Sequence, residues 1–167
     1  MIQPSYCLAP GLVTPMKLEI VLTSVQKEAV HSLLAHLAVS PVTVLKGPAG
    51  VGKTSILKSL QATQGGVFLG MEQLINVRQA DGPAAIEEAF FRMIEDAIQS
   101  HNLVLVDDLM LVTNAAVGGG DGRTHLLDAG LTAILAEARA LGRKMVFAVE
   151  EEIPWPLRRR AQIVQAA

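Results

Sequence analysis

"VTVLKGPAGVGKTSILKSLQ", residues 42–61, runs from a short β-rich apolar segment through a cluster of glycines into a lysine, a threonine and a helix-forming stretch. Val42 to Leu45 have the composition of a strand buried on both faces of a parallel sheet. Gly47-Pro48-Ala49-Gly50-Val51-Gly52-Lys53-Thr54 then matches G-x-x-x-x-G-K-S/T at every fixed position, between a predicted strand and a helix predicted to begin near Lys53. Glycines let the backbone aim successive N–H groups at a phosphate, and the helix adds the positive end of its dipole. A plain strand-to-helix turn would account for the glycines but not for a lysine followed at once by a hydroxyl. The stretch therefore reads as a phosphate loop. Gly47, Pro48, Ala49, Gly50, Val51, Gly52, Lys53, Thr54 and Ser55 are its expected nucleotide contacts. Lys53 is placed to reach the β- and γ-phosphates, and Thr54 to help hold Mg2+.

Working outward, strands and helices alternate. Upstream, "SVQKEAVHSLLAHLAV" carries Val25, Ala29, Val30, Leu33, Leu34 and Leu37 at helical spacing, with Ser24 as the expected N-cap and Pro41 as the stop. His31 and His36 do not share a face well and read as surface residues. Downstream, "GGVFLG" predicts a second strand. "PAAIEEAFFRMIEDAIQS" predicts a helix with Ile86, Phe90, Met93 and Ala97 on one face and Pro83 in its first turn. "NLVLVDD" predicts a third strand, and "LLDAGLTAILAEARAL" a helix facing inward with Leu127, Leu131, Ile134, Ala138 and Leu141. "KMVFAV" and "AQIVQA" predict two more strands. The expected fold class is α/β, a three-layer αβα sandwich of the P-loop NTPase type around a mostly parallel five-stranded sheet.

The totals fit one such domain. The chain has 167 residues, of which half are hydrophobic and 18% charged, with a mean hydropathy of +0.38, a balance that argues for a packed α/β interior or an extensive partner interface rather than disorder. A net charge of −2 predicts no general affinity for nucleic acid. The single cysteine, Cys7, excludes an internal disulfide and a cysteine metal cluster, which points to a reducing compartment. No apolar run is long enough to span a membrane, because "LVLVDDLMLV" is split by two acids, and the Pro-rich start lacks the basic region of a signal peptide. The expectation is a cytoplasmic protein with an arm or linker over residues 1–23 and a phosphate-loop core over 24–167.

"LVLVDD" sends an apolar strand through the sheet and leaves Asp107 and Asp108 at its carboxyl end, where open α/β sheets bind ligands. With a phosphate loop upstream, Asp107 is the candidate Mg2+ acid and Asp108 the candidate for orienting an attacking water.

These two motifs, and the segments that follow them, resemble the AAA ATPases over about residues 24–165, most closely the classical AAA branch. "DDLMLVTNAAVGGGDGRTHLLDAGLTAILAEA" is similar to the family's acidic strand, glycine-rich loop and long helix. "MVFAVEEEIPWPLRRRAQIV" is similar to its sensor strand, short arginine-bearing helix and last strand. The resemblance implies ATP and Mg2+ as cofactors, with Lys53, Asp108, Arg158 and Arg160 in catalysis and Thr54 and Asp107 at the metal. It implies that Arg158 and Arg160 are fingers presented to a neighbouring subunit's γ-phosphate, hence a homo-oligomeric ring or filament, or a hetero-oligomer with a lid-bearing partner.

The chain departs from the family pattern in four ways. Asp108 stands where a longer glutamate is usual, and Glu150 or Glu151 where a polar amide sensor is usual. "MEQLINVRQADG" offers Asn76, Val77 and Arg78 but no pore aromatic, and the sequence stops where the family continues into a helical lid. The function these features imply is a Mg2+-dependent ATPase that drives assembly or remodelling of a protein client. The alternatives are a non-hydrolysing, nucleotide-gated scaffold and a replication or transposition loader acting on DNA. A small-molecule kinase ranks last, because no acceptor pocket is legible.

Overall fold

The predicted alternation is realised in a computed structural model that describes residues 20–80, 85–107, 109 and 121–166. In chain order the elements are α1 (Ser24–Val39), β1 (Val42–Lys46), α2 (Lys53–Gln64), β2 (Val67–Leu69), α3 (Met71–Ala80), α4 (Ile86–Ser100), β3 (Leu103–Val106), α5 (Asp121–Ala140), β4 (Lys144–Val149), α6 (Trp155–Arg160) and β5 (Gln162–Gln165). The five strands form one sheet in the order β2-β3-β4-β1-β5, and every pairing is parallel. The register sets Val42 beside Met145 and Lys46 beside Val149, so the carboxyl ends of β1 and β4 finish together.

Because strand side chains alternate between faces, the sheet feeds two cores. Val42, Val44, Val104, Val106, Met145, Phe147 and Val149 point to one side, where α4 and α5 supply Phe90, Met93, Ile94, Leu127, Leu131 and Ile134. Leu45, Leu103, Leu105, Val146 and Ala148 point to the other, against Ala29, Leu33 and Leu37 of α1 and Ile56, Leu57 and Leu60 of α2. This is the three-layer sandwich expected from the alternation, with both faces of the sheet covered.

Several local expectations change. The N-cap of α1 is Thr23, not Ser24: its hydroxyl accepts from the Gln26 backbone N–H while the Gln26 side chain accepts from the Thr23 backbone N–H, a reciprocal capping box. Ser24 is already the first helical residue. Residues 71–80 fold as α3, with Leu74 its buried anchor and Met71 and Val77 packed beside it against the core. Leu141 lies past the end of α5 and is 40% exposed, so the inward face ends at Ala138. His31 is exposed and His36 half-buried; the His36 ring nitrogen Nδ1 bonds to the Ser32 carbonyl of the preceding turn. Pro83, Asp108 and residues 1–19 lie outside the described residues.

Candidate functional site

The carboxyl ends of β1 and β3, with β4 between them in the sheet, make the site. At the end of β1 the Gly47 N–H donates to the Val149 carbonyl, 3.2 Å away, which ties the start of the loop to β4. Gly50 and Gly52 then take φ of +82° and +87°, a left-handed backbone open to glycine at little cost. Gly52 is also the N-cap of α2 and supplies no side-chain cap. The first N–H groups of α2 thus have no capping side chain and stand available to an anion, which the helix dipole favours. The Lys53 ammonium lies back over the loop, donating to the Gly47 carbonyl at 2.8 Å and the Pro48 carbonyl at 2.9 Å.

From β3, next to β4 in the sheet, comes Asp107. It is 7% exposed, and its backbone N–H donates to the Leu69 carbonyl at 2.8 Å, extending the β2–β3 pairing by one residue. The Thr54 hydroxyl donates to Asp107 Oδ2 at 2.5 Å. A hydroxyl and a carboxylate brought together this way form a hard oxygen pair of the kind Mg2+ accepts, and Mg2+ takes few protein ligands because phosphates and waters complete its octahedron. Among the described residues there is no group of three or more His, Cys, Asp or Glu able to hold a metal by itself.

Lys53, Thr54 and Asp107 line one cleft of about 240 Å³ together with Ala49, Gly50, Gly52, Ala148, Val149 and Glu150. The structure therefore brings the loop and Asp107, the candidate metal-side acid, into one cleft. It also puts Glu150, at the end of β4, into that cleft, while Glu151 is not among the lining residues. Arg158 and Arg160 are not part of the cleft either. They sit on α6, where Arg158 donates to the Ile153 carbonyl at 3.5 Å and Arg160 to the Thr132 carbonyl at 3.4 Å. Arg159 stacks on Trp155, its guanidinium carbon 4.8 Å from the ring centre.

One contact of the loop escapes the sequence reading. Gln26 Nε2 donates to the Val51 carbonyl at 2.9 Å. The Thr23-x-x-Gln26 spacing carries the capping-box signal that would have drawn attention to Gln26.

No family model matches the sequence, nor does any curated protein. Solved structures do match in fold. Domain III of the replication initiation protein DnaA from Thermotoga maritima aligns with a TM-score of 0.57 at 17% identity over 87% of this chain. The replication initiator DnaA bound to AMPPCP and single-stranded DNA aligns at 0.54, with 15% identity over 87%. The Walker-type ATPase paby2304 of Pyrococcus abyssi aligns at 0.51, with 18% identity over 84%. This chain spans 63%, 47% and 53% of those three chains, respectively. The parallel five-stranded sheet and its flanking helices thus form an α/β fold shared with these DnaA domains and with the Walker-type ATPase.

Proposed function

We propose that the chain is a Mg2+-dependent ATP-binding module of the AAA type that hydrolyses ATP at subunit interfaces and drives the assembly or remodelling of a protein partner. The observation that carries this reading is the Thr54–Asp107 hydrogen bond at the mouth of the phosphate loop, in the same cleft as Lys53. The loop N–H groups and Lys53 bind the phosphates, and Thr54 and Asp107 hold Mg2+, which neutralises phosphate charge when bound. Asp108 orients the attacking water. Arg158 and Arg160, absent from the cleft of their own chain, reach the γ-phosphate of a neighbouring copy and stabilise the charge that spreads over the transferring group.

Turnover that depends on a neighbour rises with protein concentration per site. Phosphate release from Mg-ATP is expected to climb cooperatively as the protein is concentrated, in step with its size in solution, and to vanish in Lys53→Ala. A rate per site that is independent of concentration would remove the arginines from catalysis. A second reading, a nucleotide-gated scaffold without turnover, draws on Glu150, whose carboxylate lines the cleft and opposes a third phosphate. It predicts nucleotide-dependent assembly with no phosphate released, and brisk release abolished by Lys53→Ala would sink it.

A further inference from the structure

We propose that Gln26 is a positioning residue of the phosphate loop, a clamp that fixes the Val51–Gly52 peptide from outside the nucleotide cleft. The inference rests on reading residues 47–54 as a nucleotide loop.

The argument begins with what the capping box leaves over. Gln26 Oε1 accepts from the Thr23 backbone N–H at 3.0 Å, and the Gln26 backbone N–H donates to Thr23 Oγ1 at 3.2 Å. The first of those bonds uses the carbonyl end of the side-chain amide and sets its orientation. The Nε2 end faces the loop and donates to the Val51 carbonyl, 25 residues along the chain, in a partly buried contact. The approach is close enough that a Cβ on Gly52 would collide with Nε2. So the glycine at 52 answers to the amide of Gln26 as well as to its own backbone angle.

In a planar trans peptide the C=O and the following N–H point in opposite directions. Drawing the Val51 carbonyl toward α1 therefore turns the Gly52 N–H the other way, into the concave side of the loop where a phosphate would lie. A loop held in this form before the ligand arrives binds it without the cost of ordering. Glutamine alone meets both demands: glutamate keeps the capping acceptor but has no donor, and methionine keeps the length but has neither.

Three variants separate clamp from cap. Gln26→Glu retains the capping box and loses the clamp; Gln26→Met loses both; Thr23→Ala weakens the cap and leaves Nε2 free to hold Val51. Binding of Mg-AMPPCP by calorimetry is expected to weaken about tenfold in Gln26→Glu and Gln26→Met, the effect of one lost hydrogen bond, and to hold its wild-type value in Thr23→Ala. Melting temperature is expected to follow the cap instead, falling by about 2–4 °C in Thr23→Ala and staying put in Gln26→Glu. In nucleotide-free protein, amide hydrogen exchange over residues 51–54 is expected to speed up in both Gln26 variants and not in Thr23→Ala. Wild-type affinity in Gln26→Met, or unchanged exchange in both Gln26 variants, would overturn the proposal. A wild-type protein that binds no nucleotide would defeat the reading of the loop instead, and the exchange comparison would still decide whether the clamp exists.

Discussion

Asp107 and Glu150 end adjacent strands and enter the same cleft, yet their surroundings give them opposite consequences. Asp107 is buried and takes a hydrogen bond from Thr54, an arrangement suited to a cation. Thr54→Val removes the hydroxyl while keeping the shape, and the tightening of nucleotide binding by Mg2+ is expected to fall on the order of tenfold, read by titration with and without EDTA. No hydrogen bond or ion pair is recorded for the half-buried Glu150 among the described residues. Glu150→Gln is expected to raise affinity for ATP relative to ADP by about fivefold, the worth of roughly 1 kcal/mol of relieved repulsion in a water-accessible site. An unchanged ratio would show that the carboxylate points away from the third phosphate. On β1, the buried Thr43 hydroxyl has no hydrogen-bond partner among the described residues, so Thr43→Val, which preserves shape, is expected to stabilise the fold by about 1 kcal/mol in urea denaturation.

Among the elements, α5 shows how unevenly one helix shares the load. Leu131 is fully buried between α4 and the sheet, whereas Leu126 is 67% exposed. Leu131→Ala is expected to cost about 2–5 kcal/mol and Leu126→Ala less than about 0.5 kcal/mol, compared by denaturant midpoints. The short α6 is anchored by Pro156 and Leu157, while its three arginines face outward. That combination presents guanidinium groups from a fixed base. α3 carries a thinner stripe: Leu74 is its one buried residue among those described, and Met71 and Val77, three residues to either side, pack only partly buried against the same core.

For the whole molecule, charge and the placement of α6 decide what it can meet. With a net charge of −2, binding to single-stranded DNA is expected to be weak at physiological salt, although one of the structural neighbours was solved with such a strand. Tight, salt-sensitive binding in a fluorescence anisotropy titration would favour the DNA-loader alternative. The only tryptophan, Trp155, is 58% exposed beside Arg159. If α6 meets a neighbouring copy, nucleotide-driven assembly is expected to bury this ring and shift its emission to the blue, and an unchanged spectrum on assembly would place the contact elsewhere.

The phosphate loop, the five strands and the acid at the end of β3 were legible in the sequence, because each depends on residues close together in the chain: glycines at a turn, a lysine and threonine opening a helix, apolar runs of strand length. The layered α/β class followed from their alternation. Tertiary structure alone decided which strand ends meet. Val42 pairs with Met145 and Thr43 with Gln162, so Glu150 lands in the cleft and the α6 arginines outside it. Only the fold, too, brought the Gln26 amide to the Val51 carbonyl. Such contacts join segments far apart in the chain, and no local pattern of spacing or hydrophobicity encodes the distance between them.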